Sequence, residues 1–83
     1  MKITVKYFAS IREALGQGSE QRETSASTLA DLRNELLSIS PAHAQVLARG
    51  KPVRMALDQI MSDEAALLRD GCEVAFFPPV TGG

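Results

Sequence analysis

Thr28-Leu29-Ala30-Asp31-Leu32-Arg33-Asn34-Glu35-Leu36-Leu37 is the longest stretch of the chain that places apolar residues at helical spacing. Leu29, Leu32, Leu36 and Leu37 form a stripe down one side, and the Thr28 hydroxyl can cap the start, with Asp31 three residues on. This predicts a helix with one face to bury. Pro41 bounds it, because the residue before a proline is pushed out of the helical region.

Whatever covers that stripe must come from the flanks. On the N-terminal side, Ile3, Val5 and Tyr7 alternate with Lys2, Thr4, Lys6 and Phe8, the two-residue period of a strand with one face inward. Ser10-Ile11-Arg12-Glu13 fits a capping box, so a short helical piece is expected there, closed by Gly16. After Gln17-Gly18-Ser19, residues Glu20 to Thr24 are polar throughout and suit only an exposed edge strand. On the C-terminal side, residues 42–50 carry too few apolar positions to choose between a turn of helix and a compact loop. Gly50-Lys51-Pro52 is a turn signal. Val53, Met55 and Leu57 then alternate with Arg54 and Ala56 as a third strand, and Ile60-Met61 is a short fourth. Asp70-Gly71 marks a turn before Cys72-Glu73-Val74-Ala75-Phe76-Phe77, a final strand by composition.

The resulting order is strand, short helix, strand, long helix and three short strands. An α+β fold follows, with a mixed sheet and one main helix packed across one face. The first and last strands are the most apolar and belong at its centre, side by side. These features describe the ubiquitin-like β-grasp, over residues 1–77, with an extended tail at 78–83.

At 83 residues the chain is one small domain, able to bury roughly 60% of its unfolded surface. A formal charge of −1 with no long run of one sign offers no footprint for nucleic acid or an anionic membrane. Cys72 is the sole cysteine, so a secreted disulfide scaffold is excluded, and a reducing cytoplasm is the expected location. Met1-Lys2 runs directly into an alternating apolar and polar stretch unlike the continuous apolar region of a signal peptide, so the mature chain is expected to begin at or near Met1.

Catalytic ingredients are sparse: one His, one Cys, and no pair at metal-ligand or triad spacing. His43 is expected to be an exposed loop residue rather than a ligand or base. Cys72 is expected to be incidental, because a reactive thiolate needs positive charge nearby and its neighbours are Asp70 and Glu73. Gly16-Gln17-Gly18 lacks the lysine and strand-to-helix setting of a phosphate loop.

The chemistry points instead to Phe76-Phe77-Pro78-Pro79-Val80-Thr81-Gly82-Gly83. Consecutive prolines cannot donate ladder hydrogen bonds, so they end the strand and stiffen the tail. From Pro79 to Gly83 the chain reaches on the order of 15 Å at about 3.3 Å per residue. Without Cβ atoms, Gly82 and Gly83 can thread a narrow channel and bring a terminal carboxylate to a reacting atom. A carboxylate in water is a poor electrophile, and adenylation would supply a leaving group. Of the adjacent phenylalanines only one can enter the core. With Val74 and Phe76 inward, Phe77 faces the other way, as Phe8 does on the first strand, and Met61 is placed to join them. An apolar patch beside the tail's root suggests a protein interface.

The tail is similar to the C-terminal signature of the small subunits of molybdopterin synthase. The resemblance extends to Tyr7-Phe8-Ala9 with Ile11-Arg12-Glu13, the helix from Thr28, and Asp70-Gly71 through Val74-Ala75-Phe76. It departs at Asp58-Gln59, where Asn-Gln is common, and at Cys72, where an acidic residue often follows Asp-Gly. The resemblance implies that Gly83 is adenylated by a ubiquitin-activating-like enzyme using ATP, receives sulfur from a donor protein as a thiocarboxylate, and passes it to cyclic pyranopterin monophosphate. Gly82 would let it reach the pocket of a large subunit, in an assembly of two small and two large subunits. Phe8, Met61, Phe77, Pro78, Pro79, Val80 and Thr81 would contact partners, and the chain would bind no cofactor itself. Other readings stay open: a sulfur carrier of a thiamine-type pathway, a ubiquitin-like modifier of lysines, or an interaction module with an inert tail.

Overall fold

The computed structural model describes residues 1–79, and the readings placed on Val80, Thr81, Gly82 and Gly83 lie outside the described residues. The elements in chain order are β1 (Lys2–Tyr7), α1 (Ala9–Leu15), β2 (Ser19–Glu23), α2 (Leu29–Leu37), α3 (Pro41–Leu47), β3 (Arg54–Leu57), β4 (Ile60–Ser62) and β5 (Glu73–Phe77). The strands make a five-stranded sheet in the order β2-β1-β5-β3-β4. β1 and β5 are parallel neighbours inside it, as their apolar composition requires, and the other pairings are antiparallel.

Alternation decides which side chains enter the core. Ile3, Val5 and Tyr7 of β1 and Val74 and Phe76 of β5 are almost wholly buried, in a register that sets Val5 beside Val74 and Tyr7 beside Phe76. Leu29, Leu32 and Leu36 of α2 cover them. Burying each such side chain contributes about 1.5–3 kcal/mol. Helix α2 is capped as expected, with the Thr28 hydroxyl accepting from the Asp31 N–H at 3.1 Å. The next orphan amides, on Leu29 and Ala30, donate to the carbonyls of Ala66 and Glu64 in the loop after β4. The polar β2 does lie at an edge, where Glu35 of α2 clasps it through the Arg22 guanidinium at 2.5 Å and the Thr24 hydroxyl at 2.7 Å.

Three expectations change. The capping box at Ser10 does not form: α1 starts at Ala9, with Phe8 as N-cap and no side-chain cap bond. Pro41 does not simply bound α2, which ends at Leu37; it opens α3 as a first-turn residue, where a missing N–H costs nothing. Ser40 caps α3 by accepting from the His43 N–H at 3.2 Å. His43 is therefore helical and only 8% exposed, not a surface loop residue. Its Nδ1 lies 2.8 Å from the Ser40 hydroxyl and its ring meets Tyr7 edge-on. The spacing of α3 hid this, because a histidine occupies an inward position that pattern reading reserves for aliphatics.

Cys72 is buried within the core cluster, so its sulfur is a packing group. Among the described residues no helix is long and apolar enough to cross a membrane.

Candidate functional site at the root of the tail

β5 separates two adjacent phenylalanines. Phe76 points under the helices, whereas Phe77 emerges on the opposite, open face and is half-buried. Phe8 follows β1 with the same outward parity, is 45% exposed, and is held beside β5 by its N–H, which donates to the Phe76 carbonyl at 3.1 Å. The Phe8 and Phe77 rings meet edge-to-face, with centroids 6.4 Å apart at 85°. Such a pair contributes about 0.5–1.5 kcal/mol beyond its area.

Ala9 completes the turn from β1 into α1 at φ 51°. This is the left-handed region, costing an L-residue about 1–2 kcal/mol, so the sharp exit that leaves Phe8 outward is held by its surroundings. Phe8, Ala9, Phe77, Pro78 and Pro79 line an open hollow of about 470 Å³ with no charged side chain in its wall. Four of these residues carried the sequence prediction. Ala9 was missed, since a positive φ at alanine leaves no trace in composition.

Met61 is not part of the hollow. It is 57% exposed on the same face of the sheet, but β3 intervenes, and the register sets the small Ala56 and Ala75 between it and the centre. It lines a separate groove with Arg33, Arg54 and Glu64. That groove is braced from beneath by the buried Arg33, which donates to the Leu47 and Ala48 carbonyls at 2.7 and 3.0 Å and so ties α2 to the end of α3. Burial lowers the Arg33 pKa, opposed by the nearby Glu64.

Pro78 is shared between the apolar hollow and a second one of about 400 Å³, lined by Ser10 and Ala14 of α1, Gln45 and Val46 of α3, and Lys51, Pro52 and Val53. Arg54, next in the chain, pairs with Phe77 across the β3–β5 ladder and is exposed. Both cations were legible as outward residues of the turn and strand, though nothing in the sequence placed them beside the tail.

Elsewhere the titratable groups are structural. Asp58 accepts from the Glu73 N–H and from Arg69, both at 2.9 Å, and these bonds hold its carboxyl below its ordinary value. Asp58 and Gln59 take φ 50° and 68° in the tight β3–β4 turn, a demand that Asn meets readily and that explains why Asp serves there too. Burial, aided by Glu20, raises the Tyr7 phenol above its usual value, keeping it neutral. Among the described residues no group of three or more His, Cys, Asp and Glu is placed to hold a metal ion.

A mixed sheet wrapped on a capped helix, with its inner β5 leading into Pro78 and Pro79, defines a ubiquitin-like β-grasp domain. Residues 5–83 match the ThiS family, and the chain belongs to that family. It is 38% identical over 81 residues to the molybdopterin synthase sulfur carrier subunit of Escherichia coli, covering 98% of this chain and 99% of that one. It also resembles the small archaeal modifier protein 1 of Haloferax volcanii, at TM-score 0.79 and 21% identity over 95% of this chain and 98% of that one. A chain of the protein-protein complex of subunits 1 and 2 of molybdopterin-converting factor from Helicobacter pylori matches at TM-score 0.72 and 25% identity, covering 100% of both chains.

Proposed function

We propose that the chain is the sulfur-carrier small subunit of a molybdopterin synthase, with the Gly83 carboxylate as its working group. The observation that carries this reading is the apolar hollow of Phe8, Ala9, Phe77, Pro78 and Pro79, sited where the strand ends and a Gly-Gly tail departs. A docking surface at that point fixes the direction in which the last residues are delivered. The near full-length likeness to a molybdopterin synthase sulfur carrier subunit supports the same role.

The chemistry runs in three stages. A Gly83 carboxylate oxygen attacks the α-phosphorus of ATP on a ubiquitin-activating-like enzyme, and pyrophosphate leaves. The outer sulfur of a donor protein's persulfide then attacks the acyl carbon and expels AMP, and a thiol reductant cleaves the resulting acyl disulfide, leaving a thiocarboxylate and the donor's thiol. The thiocarboxylate sulfur attacks a side-chain carbon of cyclic pyranopterin monophosphate in the large subunit as a carbon–oxygen bond there breaks. Water cleaves the acyl–sulfur bond to leave a thiol on the pterin and free the spent carboxylate, and repetition with a second loaded chain completes the dithiolene. Gly82 keeps the approach narrow, and Val80 and Thr81 span the channel. The catalytic side chains belong to the large subunit, in an assembly of two small and two large subunits in the cytoplasm. The two-subunit Helicobacter pylori complex supports that kind of partner. No cofactor is assigned to this chain.

The reading is tested by mixing thiocarboxylate-loaded chain with the large subunit and cyclic pyranopterin monophosphate. Carrier sulfur should be consumed as molybdopterin forms. A loaded chain that binds the large subunit yet keeps its sulfur contradicts the assignment.

A further inference from the structure

Charge is unevenly divided along β5. Near its start stand Asp58, Asp70 and Glu73, with Glu73 paired to Lys6 at 3.2 Å. At its end, beside Phe77 and Pro78, stand Arg54 and Lys51. Lys6, Arg22, Arg33, Arg49 and Arg69 each have a carboxylate within 4.0 Å, whereas Lys51 and Arg54 have none among the described residues. Arg12 on α1 has no carboxylate within 4.0 Å among the described residues either, but its guanidinium lies beside Gly18 and lines neither hollow at Pro78. Lys2, whose backbone N–H donates to Asp70, is likewise without a carboxylate partner for its ammonium among the described residues, and it sits at the far end of β1 from Pro78. Of the four cations without a carboxylate partner among the described residues, Lys51 and Arg54 are the two placed beside Pro78 and Phe77, Arg54 also lining the groove that holds Asp63 and Glu64.

We propose that Lys51 and Arg54 form a cationic flank to the apolar hollow, and that the surface it fits is a partner protein presenting an apolar side chain bordered by carboxylates. This rests on the functional reading above and gives the docking partner its chemistry. The apolar wall supplies adhesion without direction. Two unpaired cations on one flank orient the encounter, so that the tail arrives facing the partner's channel. Exposed charges of this kind act mainly on association rate, and their effect shrinks as salt shortens the Debye length below about 8 Å.

The test compares native full-length chain with Lys51→Glu/Arg54→Glu and Lys51→Gln/Arg54→Gln in binding to the large subunit by stopped flow. Both positions are exposed, and circular dichroism checks the fold of each variant. At low salt the double Glu variant should associate roughly tenfold more slowly, with the Gln variant between, while dissociation changes by less than about twofold. At about 0.5 M salt the three should converge. Association of the Glu variant within twofold of native at low salt overturns the inference alone. A native chain that does not bind the large subunit overturns the functional reading and this inference with it.

Discussion

Phe76 and Phe77 are chemically identical neighbours with opposite roles. Phe76 has no exposed surface and stacks on Tyr7, with centroids 6.2 Å apart, beneath the helices. Phe77 stands on the open face, half-covered, with Phe8 as its partner. One ring holds the domain together and the other is left for something outside it. The difference comes from strand parity alone, so a single residue step separates stability from recognition.

The largest effect should come from breaking the inner ring. Phe76→Ala removes a fully buried side chain and should cost about 3–5 kcal/mol by urea denaturation, unfolding much of so small a domain. Phe77→Ala should cost only about 1 kcal/mol, yet weaken binding to the large subunit at least tenfold. Equal stability losses for the two would erase the distinction between the faces.

A smaller effect sharpens the helix-covered side at its edge. Burial alone would raise the Glu35 pKa, but the hydrogen bonds from Thr24 and Arg22 and the charge of Arg22 outweigh it, and the folded value is lowered. Its contribution to stability is therefore complete above the ordinary carboxylate value of about 4.3 and is lost as pH falls through the folded value. Denaturation midpoints taken from pH 6 down to pH 3 should drop more steeply for the native chain than for Glu35→Gln. Parallel curves would show that the clasp between α2 and β2 adds nothing to stability.

Much of this was legible in the sequence because the sheet's faces are written by a two-residue period. β1, β5 and α2 followed from Ile3, Val5, Tyr7, Val74, Phe76 and the leucine stripe, and Phe8 and Phe77 followed from the opposite parity. The features that escaped had no such period. α3 turns His43 and Leu47 inward among small residues, so its buried face looked like loop. The Ser10 box was overridden by the left-handed Ala9, which starts α1 earlier. Met61 had the correct parity, but its distance from Phe77 depends on strand order, which sequence fixes only through long-range pairing. Lys51 and Arg54 came to flank the tail for the same reason.

The proposed function makes the tail a reagent rather than a frayed end. Intact-mass analysis after incubating the full chain with ATP, its activating enzyme and a sulfur donor puts this to the test. One oxygen should be exchanged for sulfur on the C-terminal peptide, and chains extended beyond Gly83 or lacking Gly82 and Gly83 should gain none. A native chain that keeps its starting mass beside an enzyme able to charge another carrier would contradict it.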